Sequence, residues 1–104
     1  MDRGNAIRLH PADNVATALA DIQAGELAEV LDKTAACSSL PALDPIPFGH
    51  KLAVALIRRG EHILKYGESI GIATQDIRPG NHVHIHNLDS TRGRGDLGEG
   101  KRGI

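Results

Sequence analysis

One spacing recurs along the chain and limits what it can fold into. Ala, then Ile four residues on, then Gly three residues after that, occurs at Ala18–Ile22–Gly25, Ala53–Ile57–Gly60 and Ala73–Ile77–Gly80. Glycine at the end of such a unit can take a positive φ and reverse the chain. Pro79 before Gly80 favours a turn there too. The copies are unevenly spaced, so they are not the stacked repeats of a solenoid. The pattern predicts one turn geometry used three times in a mainly β domain.

The amino-acid content limits what can fill that domain. The 104 residues make one small domain with a modest core. Phe48 and Tyr66 are the only aromatic residues of the Phe/Tyr/Trp kind, so the core must come from Val, Ile, Leu and Ala. Platforms for stacking single-stranded bases are lacking. The formal net charge of −1 gives no general footprint for nucleic acid or a membrane surface. Cys37 is the sole cysteine, so no disulfide forms within the chain, which suits a reducing compartment. Its small-residue surroundings read as a loop rather than a catalytic thiol. The first thirty residues hold no apolar signal core, and no run is long enough to span a bilayer. The expectation is a soluble, cytoplasmic protein.

Short strands are expected at Ala6–Leu9, Lys51–Leu56, His62–Tyr66, Ser69–Ala73 and His82–Asn87, with turns at Gly60, Gly67 and Gly80. Asp13 and Asn14 can cap a helical turn over Val15–Ile22, or the same residues can form a strand with Val15, Thr17 and Leu19 on one side. Pro41, Pro45 and Pro47 mark residues 32–47 as a surface loop. Residues 1–89 are then the domain. Residues 90–104, with five glycines among charged residues, are a flexible tail or a partner-docking one.

Three stretches carry chemistry. In Gly80-Asn81-His82-Val83-His84-Ile85-His86-Asn87, strand alternation puts His82, His84 and His86 on one face and Val83, Ile85 and Asn87 on the other. Neutral imidazole is a common ligand for transition metals, so the histidine face is a metal candidate, with plain hydrogen bonding or exposure as the alternative. In Ile46-Pro47-Phe48-Gly49-His50-Lys51, a titratable ring stands beside a fixed cation. That pair suits an anionic substrate such as a carboxylate, Lys51 drawing the charge and His50 moving a proton, unless the stretch is simply a polar turn. Lys65-Tyr66-Gly67-Glu68 reads as a hairpin tip whose Lys65 and Tyr66 touch a ligand or shield a sheet edge.

Taken together, these stretches resemble a known family. Ile46–Lys51, Ile57–Gly60, Tyr66-Gly67 with Ile70-Gly71, and Gly80–Asn87 are similar in order to the SAF domain of the altronate and galactarate dehydratases, and the opening from Ala6 matches as well. The resemblance covers about residues 6 to 88. It implies a small β-clip domain of short strands with one or two short helical turns. It also implies the small subunit of a two-component lyase that removes water from a sugar acid such as altronate or galactarate, inactive without a large catalytic subunit. The related sulfolactate sulfo-lyase small subunit, a carbohydrate- or partner-binding module and a purely structural module are the alternatives. Under this resemblance His50 and Lys51 are the catalytic candidates. Lys65, Tyr66 and Asn87 bind substrate, and His84 and His86 bind metal. The cofactor is Fe²⁺ or another divalent metal, held mainly by the partner subunit. Neither nucleic acid nor membrane is expected as a partner, and self-association is left open.

Overall fold

The computed structural model describes residues 4–34 and 36–90, so the chain beyond Ser90, where most of the proposed tail falls, lies outside the described residues. Nine strands form among them: β1 (Ala6–Ile7), β2 (Val15–Ala18), β3 (Leu27–Leu31), β4 (Cys37–Pro41), β5 (Lys51–Ala53), β6 (His62–Lys65), β7 (Glu68–Ala73), β8 (His82–Val83) and β9 (Leu88–Asp89). No helix occurs among the described residues, and none is long and apolar enough to cross a membrane. A six-stranded sheet runs β4-β3-β1-β2-β5-β8, and a three-stranded sheet runs β6-β7-β9. All pairs are antiparallel except β1 with β3.

The recurring unit explains this topology, and there are four copies rather than three. Ala42, Ile46 and Gly49 repeat the spacing. The units join in two reciprocal pairs. In the first, Ile22 and Ile46 exchange backbone hydrogen bonds of 2.9 and 2.8 Å. Gly25 N–H donates to Ala42 C=O (2.8 Å), and Gly49 N–H donates to Ala18 C=O (2.9 Å). In the second pair Ile57 and Ile77 exchange bonds of 2.8 and 2.7 Å, while Gly60 and Gly80 each donate at 2.8 Å to Ala73 and Ala53.

The residue types follow from that geometry. Gly25, Gly49, Gly60 and Gly80 have φ of 89°, 84°, 91° and 95°, a region L side chains rarely adopt. Each alanine is buried where the partner turn crosses it, and each isoleucine is fully buried. The first pair of units lies in one apolar cluster with Ala6, Ala16 and Leu52, and the second in another with Val15, Ile63 and Val83. Fully burying an aliphatic side chain of this size contributes about 1.5–3 kcal/mol, so these positions set much of the stability.

Several expectations are corrected. Of the two readings of Val15–Ile22, the strand is the one that forms, as β2, although Leu19 is exposed. Ala16 and Leu52 pair in register, so β2 is fixed by its neighbour β5 rather than by local capping. Residues 32–47 are not one loop. Cys37–Pro41 forms the edge strand β4, and Ala42 and Ile46 belong to the core. Cys37 therefore sits exposed at the start of an edge strand, opposite Leu31. Lys51–Leu56 and His62–Tyr66 shorten to Lys51–Ala53 and His62–Lys65, because Val54 and Tyr66 already enter turns.

Candidate functional site

The turn units decide which side chain reaches the site. In three of them the residue after the glycine folds back to accept the N–H of the residue after the isoleucine. Glu26 Oε1 takes Gln23 N, Glu61 Oε1 takes Arg58 N, and Asn81 Oδ1 takes Arg78 N, all at 2.8 Å. In the fourth unit that donor position is Pro47, which has no N–H, and the residue after the glycine is His50. Pro47 thus releases the His50 side chain from turn duty. Gly49 reverses the chain here, with φ of 84°.

The freed ring meets the histidine stretch. His50 Nδ1 lies 2.9 Å from His82 Nε2. The His50 and His84 rings stack at 4.2 Å between centroids, and the His50 and His82 rings at 5.1 Å. His50, His82 and His84 each place a ligand-capable nitrogen within 4.8 Å of the others. Two nitrogens bound at about 2.1 Å and at right angles to one another would be roughly 3 Å apart, close to the observed contact. The three nitrogens are close enough together to become ligands of one divalent transition metal, provided the near-parallel rings rotate so that their lone pairs converge.

The histidines converge for a reason other than strand alternation. Strand β8 ends at Val83, and residues 84–87 form a tight turn. Asn87 is buried and builds that turn: its Oδ1 accepts His84 N–H at 2.9 Å and its Nδ2 donates to His82 C=O at 2.8 Å. Asn favours turns by this kind of local bonding. Val83 is buried as expected, but Ile85 is 83% exposed rather than part of the core. His86 is exposed, its ring 5.3 Å from that of His82 and outside the three-nitrogen cluster. Asn87 spends both side-chain polar atoms within its own turn.

His82 takes part as a member of the expected histidine face, and Asp44 is a participant that the sequence did not single out. Asp44 Oδ2 accepts His82 N–H at 2.9 Å and Asn81 Nδ2 at 3.0 Å, which fixes the start of β8. No sequence signal joins His82 to His50, because strand pairing of β5 with β8 brings them together across 32 residues.

Electrostatics suit ligand binding. Burial, followed by the charges of His50, His86 and His84, pushes His82 below the ordinary histidine value, with Asp44 opposing. His84 is lowered by burial and then by His50, Lys51 and His86. Both shifts favour the neutral ring, the form that ligates metal. Lys51 is also lowered, first by burial and then by the ammonium of Lys65. Lys51, Lys65 and His84 line one open cleft of about 340 Å³ whose other walls are largely aliphatic. Of the expected site residues, His50, Lys51, Lys65 and His84 are thus assembled in one region. Tyr66 does not line the cleft but lies beneath the Lys65 ammonium, 5.3 Å from ring centroid to Nζ.

The chain is similar to proteins of one family. Residues 4–91 match the altronate/galactarate dehydratase SAF domain. The altronate dehydratases of Bacillus subtilis and Escherichia coli are 44% and 41% identical over 81 residues, 78% of this chain and 15% of each relative. The (2R)-sulfolactate sulfo-lyase subunit alpha of Chromohalobacter salexigens is 47% identical over 47% of this chain and 52% of that protein. The corresponding subunit of Paracoccus pantotrophus is 42% identical over 51% of this chain and 79% of its own length. The chain thus spans a small part of the altronate dehydratases it matches. With the matched region running from β1 through β9, the chain belongs to the SAF-domain family of the altronate and galactarate dehydratases.

Proposed function

We propose that this chain is the small, SAF-domain subunit of a two-component lyase that eliminates water from a sugar acid such as altronate or galactarate. The observation that carries this reading is the shared cleft, in which two lysines face a histidine that is itself stacked on His50. Elimination next to a carboxylate needs a cation for the acid, a base for its α proton and stabilisation of the resulting enediolate. Lys51 and Lys65 draw the carboxylate into the cleft. His50 takes the α proton, and its 2.9 Å contact with His82 gives that proton an onward partner.

A divalent metal, Fe²⁺ or a similar ion held mainly by a large catalytic subunit, supplies a Lewis acid for the departing hydroxide. On this chain His50, His82 and His84 would hold such an ion. A ring that ligates through one nitrogen is a poor base through the other, so the two roles of His50 exclude each other. They are told apart by His50→Ala: metal ligation by this chain predicts loss of bound metal, whereas the proton role predicts lost turnover with metal retained.

A second reading is favoured by the sulfo-lyase relatives, which are named as separate alpha subunits and, in one case, matched over 79% of their length. It keeps the same cleft and changes the leaving group to sulfite. The test is to purify this chain with a large dehydratase-type subunit, supply Fe²⁺, and assay altronate, galactarate and sulfolactate. Turnover only when both chains are present supports the proposal, and the substrate consumed chooses between the readings. A complex inert on all three acids contradicts both.

A further inference from the structure

We propose that Lys51 and Lys65 form an oxoanion subsite that works without metal or partner, and that Tyr66 is the residue positioning Lys65 over it. This rests on the carboxylate-substrate reading above. The starting observation is Tyr66 itself. Among the described residues it is the sole non-glycine with positive φ, at 58°, followed by Gly67 at 76°. Two successive positive φ values at a hairpin tip are the pattern that Asn-Gly satisfies best. Tyrosine there carries a backbone cost that asparagine would avoid.

Packing does not account for the tyrosine, because its side chain is 63% exposed. Its ring instead faces the Lys65 ammonium at 5.3 Å, within cation–π range. The tip is also held firmly from below. Asp13, 3% exposed, accepts Tyr66 N–H at 3.0 Å and Gly67 N–H at 2.8 Å. A buried carboxylate thus fixes a strained turn whose exposed aromatic ring holds a lysine at the cleft.

The cleft's chemistry names the ligand group. Lys51 and Lys65 supply two ammonium groups, and Ile70, Val83 and Leu88 supply aliphatic wall. Low-dielectric walls strengthen the pull of a paired cation site on an anion. They offer nothing to a chain of hydroxyls. The subsite therefore takes a compact carboxylate or sulfonate end, leaving the hydroxylated part of the acid toward His84.

The test uses the full isotopically labelled chain in EDTA, followed by NMR titration with galactarate, sulfolactate and, as the neutral control, galactitol. Both acids are expected to shift Lys51 and Lys65, with the tighter one identifying the preferred anion, and galactitol is expected to shift neither. Lys65→Met should weaken acid binding on the order of tenfold. Tyr66→Asn should weaken it about two- to fivefold while unfolding at the same or a higher temperature, and Tyr66→Phe should bind like wild type. Unchanged affinity in Lys65→Met or Tyr66→Asn, a lower unfolding temperature in Tyr66→Asn, or shifts confined to the histidines would overturn the proposal. Anion binding by the chain alone with no turnover in the two-chain assay would sink the lyase reading and leave the subsite standing. Turnover without such binding would do the reverse.

Discussion

Asn87 shows how one residue sets the site. Alternation of apolar and polar residues predicts a strand through His86, but a buried asparagine that can bond both His84 N–H and His82 C=O makes the turn the better solution. Asn87→Ala is expected to destabilise the chain by about 1–3 kcal/mol, since two part-buried backbone groups lose their side-chain partner. Co²⁺ titration of the same variant should show weaker binding although no ligand is removed, because the His84 backbone loses its anchor. Asp32 offers a pH test away from the site. Its Oδ1 accepts the Thr34 hydroxyl, Thr34 N–H and Ala36 N–H. The Thr34 hydroxyl, then its N–H, holds the carboxyl below the ordinary aspartate value. A depressed folded-state value means the turn's contribution is complete above the unfolded-state value and fades as pH falls through the folded one. A carbon-detected NMR titration of Asp32 should accordingly give a midpoint below that of an unstructured aspartate. A midpoint at or above it would contradict the turn.

The elements were legible where residue types repeat and obscure where they do not. Three turn units were readable because Ala, Ile and Gly recur at fixed spacing. The fourth has the same three residues, but Pro45 and Pro47 read as breakers, although Pro47 only replaces a donor that the unit can do without. Strand β4 escaped notice because Cys-Ser-Ser-Leu-Pro has no β-branched residue and little burial to create a pattern. Its pairing with β3 supplies what its own sequence does not. The glycines give a graded test of the turn geometry. Gly25 has open space where a methyl group would stand, so Gly25→Ala carries only the cost of its φ, roughly 1–2 kcal/mol. At Gly80 the added carbon would collide with the Pro41 carbonyl oxygen, so backbone must move as well. Denaturant unfolding should rank Gly80→Ala clearly below Gly25→Ala in stability; equal losses would mean the crossing at Pro41 is loose.

At the scale of the whole molecule, two reciprocal turn pairs build two small cores, and β5 and β8 bring His50 beside the histidine stretch. The sequence pointed to Gly-His-Lys and to the histidine row as separate features. Their union depends on long-range strand pairing, and so does the choice of which three histidines meet. The proposed chemistry depends on that choice. The most direct measurement compares kcat/KM of the two-chain lyase carrying His82→Ala or His86→Ala, with unfolding midpoints confirming that both variants fold. The expected result is a loss on the order of 100-fold for His82→Ala, which removes a member of the cluster, and a change within about twofold for His86→Ala. A severe loss at His86 with His82 silent would mean that the alternating row, and not the cluster around His50, is the working face.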